Sequence, residues 1–377
     1  MAERGGAGSG ATDAPADVAL FLPTLGGGGA ERVTLNLARG LVERGYRVDL
    51  VLGKAVGAYL NGVPDGVRLV ALGARRLLTT PWALSRYLVR DRPRTVLSAM
   101  NDANVVALTA AWLARYRGPV VAAEHNQLYS DGRLTPLRRA FIAAMRLTYP
   151  RAHRVVAVSH GVKDSLTTTA RIDPHHIDVI YNPVITPQLH QATQATPDHP
   201  WFQGPDPILL GIGRLTRQKN FPNLLHAFAQ LHTQRPAKLI ILGEGEDREA
   251  LTNLVHQLHL TDHVDLPGFA PNPYAYLAHA HLFALSSDWE GLPTVLIEAL
   301  AANTPVVSTD CPSGPREILD HGRHGELVPM NDPTALAQAI LRTLDKPRTP
   351  TDPTWLDQFT LHTATTHYAR TLGLADG

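Results

Sequence analysis

Two glutamates with seven residues between them, Glu290 and Glu298, stand in the stretch "SSDWEGLPTVLIEAL" at residues 286–300. Their spacing decides what chemistry they could do. Pro293 suits the first turn of a helix, where its missing N–H would have had no partner. Eight residues at about 1.5 Å each then put the two glutamates roughly 12 Å apart, on approximately the same side. Paired acid–base carboxylates sit about 5 to 10 Å apart, so this pair instead suits two ends of one elongated ligand. Glu298 lies inside the apolar run Val295, Leu296, Ile297, Ala299 and Leu300. A bare carboxylate there is costly, so it needs a partner: a ligand, or an arginine in the core. Glu290 precedes the helix and would feel the positive end of its dipole.

A second group of residues is cationic or glycine-rich. "GIGRLTRQKN" puts Arg214 at the end of an apolar run, flanked by Gly211 and Gly213, with Lys219 five residues later. Two cations so placed can clamp a diphosphate and stabilise charge on a leaving group; the plainer alternative is Arg214 merely paired with an acid and Lys219 on the surface. "LGEGED" supplies Gly243 and Gly245, which leave room for a flat base or a phosphate, or make only a turn. Gly26–Gly29 follows an apolar segment and opens a helix, where free N–H groups and the helix dipole attract phosphate. It is neither G-x-G-x-x-G nor a Gly-Lys-Ser/Thr loop, so neither the dinucleotide nor the Walker fingerprint is met. "AAEHN" ends an apolar run with Glu124, His125 and Asn126, expected to face a cleft. Ser159 in "SHGVKDS" reads as a helix cap rather than a nucleophile. The 18 histidines include His175–His176 and "HAH" at 279–281, yet form no metal-ligand array with matching cysteines or carboxylates.

Stepping from these residues to the elements that hold them gives strand, loop and helix in alternation. Apolar strands are expected at "DVALFLPTL", "RVDLVLG", "VRLVAL", "TVLSAM", "VVAAEHN", "RVVAVS" and "DVIYNPV". After a Pro-, Gln- and Thr-rich stretch, a second series runs through "PILLGIGRL", "AKLIILGEG", "VDLPG", "HLFALSS", "PVVST" and "GELVP". The fold class is therefore α/β: two Rossmann-like parallel-sheet domains facing across a cleft, with ligands beyond the carboxyl ends of the strands. The expected division is a disordered tail at 1–16, a first domain at 17–186, a linker at 187–206, a second domain at 207–350 and a terminal helix at 351–377. At 377 residues the chain is long enough for two cores.

The net charge of +1 hides an asymmetry. Residues 1–185 carry 23 Lys and Arg against 14 Asp and Glu, whereas the remainder is acidic by 12 against 20. A basic half can face phosphate or an anionic membrane. Cys311 is the only cysteine, so there is no disulfide framework and no thiolate zinc site. No run of eighteen apolar residues appears, and the Gly/Ala-rich start lacks the apolar segment of a signal peptide. A cytoplasmic enzyme is expected.

In their order along the chain, the glycine loop, "EHN", "VSHGVKDSL", "VIYNPV", "GIGRLTRQKN", "LGEGED" and "SSDWEGLPTVLIEALAANTPVVSTDCPSGPREIL" resemble family-4 glycosyltransferases, retaining enzymes of the GT-B fold. The likeness runs from about residue 17 to 345 and is densest over 207–329, where the paired-glutamate motif is specific. It implies that Glu298 binds the ribose hydroxyls of a nucleotide diphosphate sugar and that Glu290 lies beside the transferred sugar. Arg214 and Lys219 would hold the diphosphate without a metal ion, and His125 would contact the donor sugar. Gly28, Gly29, Gly213, Gly243 and Gly245 would border the nucleotide sugar. Backbone around Gly291, Leu292, Pro293, Thr294 and Val295 would reinforce the phosphate contacts. Ser313, Gly314 and Glu317 in "CPSGPREIL" would lie near a hexose or N-acetylhexosamine donor. The implied reaction is a metal-independent, front-face transfer to an acceptor hydroxyl, most simply from a UDP-sugar and with no cofactor. Two alternatives keep the scaffold without the transfer: a non-catalytic sugar-nucleotide-binding protein and a sugar-nucleotide epimerase, which should carry a different acid–base set.

The acceptor has a separate signal. Residues 75–94 carry Arg75, Arg76, Arg86, Arg90, Arg92 and Arg94 with Trp82, Leu84, Tyr87 and Leu88 interleaved, and residues 133–154 add six more arginines. Basic amphipathic helices rest on anionic lipid, which points to peripheral contact with the inner face of a membrane and a lipid-linked acceptor. A merely solvated arginine face would leave a small-molecule acceptor, such as an aminocyclitol natural product. No aromatic–basic module supports nucleic acid as a partner.

Overall fold

The computed structural model describes residues 14–74, 79–128 and 135–374. Arg75, Arg76, Arg133 and most of the expected N-terminal tail lie outside the described residues.

The chain builds two parallel sheets in succession. The first holds β1 (Val18–Leu22), β2 (Val48–Leu52), β3 (Val67–Ala71), β4 (Thr95–Ala99), β5 (Val120–Glu124), β6 (Arg154–Ala157) and β7 (Ile177–Val179), in the order β3-β2-β1-β4-β5-β6-β7. The second holds β8 (Ile208–Ile212), β9 (Lys238–Leu242), β10 (Val264–Gly268), β11 (Leu282–Leu285), β12 (Val306–Thr309) and β13 (Glu326–Val328), in the order β10-β9-β8-β11-β12-β13. Every described pairing is parallel. This explains why β1, β2, β4 and β5 are buried along their whole length: helices cover both faces, so the strands read as continuous apolar runs.

The helices of the first half are α1 (Gly29–Glu43), α2 (Thr80–Asp91), α3 (Asn101–Leu113), α4 (Pro136–Thr148), α5 (His160–Ser165) and α6 (Pro187–Ala192). The second half adds α7 (Phe221–His232), α8 (Arg248–Gln257), α9 (Pro273–His279), α10 (Thr294–Ala301), α11 (Pro315–Ile318), α12 (Pro333–Leu344), α13 (Pro353–Leu356) and α14 (Leu361–Thr371). One of the buried clusters draws on both sheets, running from Ala19, Phe21 and Val96 to Ile208, Leu210 and Phe283. The two domains therefore share apolar contact as well as polar contact.

One departure from the sequence reading concerns a connection. The stretch read as a linker is folded. Thr186 caps α6 by accepting a hydrogen bond from the Leu189 N–H, and Leu189 is buried. His199 then bonds Asp265, and Trp201 and Phe202 gather around His199 and Tyr276. Polar composition hid a few apolar anchors that suffice to dock it. The C-terminal helix α14 packs back on the first domain, where Gly40 of α1 leaves room for Leu361 and Thr365. Tyr368, Ala369 and Leu372 join the core around Leu37 and Leu41, and a bridge between Ile185 and Thr360 ties the two crossings together.

Candidate functional site

Strand order reverses beside β1 in the first sheet and beside β8 in the second. Such switch points are where open parallel sheets bind ligands. The glycine loop leaves β1, Arg214 and Lys219 follow β8, and Glu290 follows β11, its neighbour across the second switch point. His125 immediately follows β5.

Around Glu290 the polar groups form a closed set. Lys219 Nζ donates to Glu290 Oε1 at 2.6 Å, and Ser287 Oγ donates to the same oxygen at 2.7 Å. Gln218 Nε2 reaches Oε2 at 3.5 Å. The loop carrying Lys219 is itself tied to the β11 loop, since Ser286 Oγ donates to the Lys219 carbonyl at 2.8 Å and the Asp288 N–H to the Gln218 carbonyl at 2.9 Å. Glu290 is buried, and Lys219 supplies the counter-charge that a buried carboxylate needs. Arg214 differs: it is exposed and makes no ion pair with a described residue. The glycines hold these loops together. Gly243 has a φ of 138°, and a side chain on it would run into the Gly213 carbonyl; only glycine supplies both the conformation and the space.

Pro293 caps α10, and Thr294 faces Gly29 of the glycine loop. The N-terminus of α10 thus lies beside the loop that opens α1, with Leu292 and Val295 buried on either side of the cap. Further along, Glu298 is 2% exposed and is bonded by Arg32 from α1 of the other domain. Burial pushes the Glu298 carboxyl upward and Arg32 pulls it back. The guanidinium also lies 5.7 Å from the centre of the Tyr274 ring, within range of a cation–π contact. The apolar run around Glu298 showed that a partner was needed. Which of many arginines it would be was not readable from spacing.

His125 is buried and its Nδ1 has no hydrogen-bond partner among the described residues. Burial pushes it down to about 4, so at neutral pH the ring is uncharged, with one donor and one acceptor nitrogen. Glu124 corrects the expectation that the whole "EHN" triplet faces the cleft. Neighbouring strand residues point to opposite faces, and Glu124 turns into the core, where Asn104 Nδ2 donates to it at 2.8 Å and the Tyr149 hydroxyl also bonds it. Burial pushes its carboxyl up to about 7. Asn126 is exposed.

The domains meet directly beside this site. Gly291 abuts the His125 carbonyl so closely that a side chain would collide with it. The Gly291 carbonyl accepts from Ser159 Oγ at 2.8 Å and Ser313 Oγ at 2.7 Å. Ser159 also accepts from the Val162 N–H and so caps α5, as its sequence context suggested. Glu317 of α11 accepts from the N–H groups of His160 at 2.8 Å and Gly161 at 3.0 Å, and from the Tyr181 hydroxyl at 3.3 Å. Sequence reasoning put Ser313 and Glu317 near a donor. Here Glu317 bonds the other domain, and Ser313 bonds Gly291 in its own domain and Ser159 in the other. Among the described residues there is no group of three or more His, Cys, Asp or Glu that could hold a metal ion.

Comparison with known proteins agrees with this architecture. Residues 27–187 match the model of glycosyltransferase family 4, and residues 196–354 match glycosyl transferases group 1. A Campylobacter jejuni protein named N-acetylgalactosamine-N,N'-diacetylbacillosaminyl-diphospho-undecaprenol 4-alpha-N-acetylgalactosaminyltransferase is 29% identical over 86% of this chain and 89% of its own. The Erwinia amylovora amylovoran biosynthesis glycosyltransferase is 28% identical over 78% of this chain and 80% of its own. Among solved structures, Anabaena HepE in complex with UDP and glucose superposes with a TM-score of 0.76 at 20% identity, covering 96% of this chain and all of that one. With the two family models covering one after the other the two facing parallel-sheet domains, the chain belongs to the family-4-like GT-B glycosyltransferases.

Proposed function

We propose that the chain moves a hexose or N-acetylhexosamine from a UDP-sugar to an acceptor hydroxyl, with retention at the anomeric carbon and without a metal ion or cofactor. The setting of α10 carries this reading: its N-terminus faces the glycine loop, Glu290 precedes it and buried Glu298 sits in its second turn. A ligand with an anionic middle and hydroxyls at both ends fits that sequence of groups. The diphosphate would meet the N–H groups of Thr294 and Val295, just after Pro293, together with Arg214 and Lys219. The Lys219 ammonium has three donors, so it can serve a phosphate while keeping its bond to Glu290. Glu290 would orient the transferred sugar beside His125, and Glu298 would accept from the ribose hydroxyls.

In the step itself, the bond from the anomeric carbon to the diphosphate breaks. The acceptor oxygen bonds the same carbon from the same face, and its proton passes to the departing phosphate. The protein contributes position and charge stabilisation rather than a covalent nucleophile. The alpha linkage in the Campylobacter relative's name supports retention from an α-linked donor. The test combines thermal-shift screening of UDP- and GDP-sugars, a transfer assay with and without EDTA, and the anomeric configuration of the product. Tight UDP-sugar binding, chelator-insensitive transfer and a retained configuration support the proposal. Inversion, or activity lost to EDTA and restored by magnesium or manganese, overturns it.

For the acceptor, the reading favoured is a lipid-linked saccharide reached at the inner face of a membrane. On α2, Trp82, Arg86, Val89 and Arg90 are exposed at spacings that share one helix face. Trp112, Leu137 and Leu147 are exposed on α3 and α4. No described helix is long and apolar enough to cross a membrane, so contact would be peripheral. Co-sedimentation with anionic vesicles, strong at low salt and weak at high salt, is the expected result. No binding at low salt would favour a soluble natural-product acceptor.

A further inference from the structure

We propose that Arg32, on the acceptor-side domain, completes the nucleoside subsite as a positioning residue: it crosses the cleft to hold Glu298 in the orientation that receives the ribose. This rests on the reading of Glu298 as the ribose carboxylate.

Three observations carry it. Arg32 lies on the first turn of α1, directly after the glycine loop, so its side chain leaves the first domain at the mouth of the cleft. It bonds one carboxylate oxygen of Glu298, Oε1, leaving the acceptor capacity of the other for a ligand. It also lies against the Tyr274 ring of α9, in the same domain as Glu298. An arginine held only for packing has no need of a buried carboxylate in a different domain. Here the bond joins two helices that begin at the phosphate-facing glycine loop and at the phosphate-facing cap of α10.

The consequence is specific. Without Arg32, Glu298 is a buried carboxylate with no cation, and it either takes up a proton or turns towards water. The first leaves a weaker, neutral acceptor for the ribose diol and the second moves the acceptor away from it. The domain that does not carry the paired glutamates would then control nucleotide affinity, and closing the domains and binding the donor would become one event.

The experiment measures binding to the full chain of UDP, or of GDP if the native chain prefers it, alongside the 2',3'-dideoxy form of the same nucleotide. The proteins are native, Arg32→Met, Arg32→Lys and Glu298→Ala, each checked for folding by thermal melt. Arg32→Met should weaken the ribonucleotide about tenfold or more, as expected for loss of a hydrogen bond to a charged group. It should leave the dideoxynucleotide unchanged, and Arg32→Lys should recover most of the loss. In turnover, Arg32→Met should raise the donor KM while kcat changes about twofold or less. Native-like ribonucleotide affinity in Arg32→Met, with Glu298→Ala impaired, overturns the role of Arg32 alone. Equal weakening of both nucleotides by Arg32→Met also overturns it, since it reduces Arg32 to interdomain packing. Native-like affinity in Glu298→Ala removes the ribose reading, and this proposal with it. Should Arg32→Met not fold, Arg32→Lys with the two nucleotides decides the question: an unequal effect supports the proposal and an equal one overturns it.

Discussion

Gly291 of the second domain rests against the carbonyl of His125 in the first, with no room for a side chain between them. The contact joins the loop carrying Glu290 to the strand end carrying His125. It also sets the Gly291 carbonyl between the hydroxyls of Ser159 and Ser313. At this point the two domains meet backbone against backbone.

The first prediction follows from that contact. Gly291→Ala should push the domains apart by roughly a methyl group beside the reacting sugar. Displacements of about 1 Å can lower rates about 100-fold, so kcat/KM should fall by about that factor. Each domain should still unfold cooperatively, because the substitution disturbs neither core. Native-like turnover in Gly291→Ala would show that the contact is not part of the active arrangement.

The two cations should separate cleanly in their effects. Arg214 is exposed and unpaired among the described residues, so Arg214→Ala should leave stability within about 0.5 kcal/mol of native while lowering turnover strongly. Lys219 neutralises buried Glu290, so Lys219→Met should lower turnover and also destabilise the fold by about 3 kcal/mol or more. Adding Glu290→Gln should return much of that stability and none of the activity. Chemical denaturation with parallel assays measures both, and equal stability of the two single variants would contradict the assignment.

Glu317 tests the polar side of the domain junction. Its carboxylate receives the first N–H groups of α5 and the Tyr181 hydroxyl, in the manner of a capping group supplied by another domain. Such caps contribute about 1 kcal/mol. Glu317→Ala should therefore loosen the junction without melting either core. The expected outcome is non-coincident unfolding of the two domains, followed by separate fluorescence and circular dichroism transitions, with Glu317→Gln closer to native. A single transition at the native midpoint would assign the junction's strength to its apolar contacts.

Much of this was legible in the sequence because parallel strands buried on both faces are continuous apolar runs, and each was visible with its following loop. Loops at carboxyl ends then named Arg214, Lys219, His125 and Glu290 as neighbours of a cleft. Arg32 was not legible. A single arginine in an amphipathic helix looks like any other surface cation, and only the juxtaposition of α1 with α10 brings it to Glu298. The inward turn of Glu124 follows from strand alternation, but the polar triplet concealed it by ending an apolar run. The segment before β8 read as a linker since its anchors, Leu189, Trp201 and Phe202, are few among polar residues.

Glu124 supplies the last prediction, in which the sign runs against the usual carboxylate. Its carboxyl has no cationic partner, and burial raises it from 4.5 to about 7. The folded protein thus holds a proton that the unfolded chain releases between those values. Stability from this group is fully present below about pH 4.5 and is lost as pH rises through about 7. Buried His125 acts in the opposite sense. Its folded value near 4 lies below the ordinary one, so its contribution is lost as pH falls from about 6.5 towards 4. The two windows overlap, so the opposite slopes largely cancel between about pH 4.5 and 6.5, and this pair should leave a nearly flat melting temperature there. Glu124→Gln keeps a neutral group of the same shape, able to accept from Asn104 or Tyr149. Relative to native, it should be near-neutral or mildly destabilising at pH 5 and become progressively stabilising towards pH 8. Melting curves of both proteins across that range are the measurement, and a difference that does not change with pH would mean that Glu124 remains ionised in its buried setting.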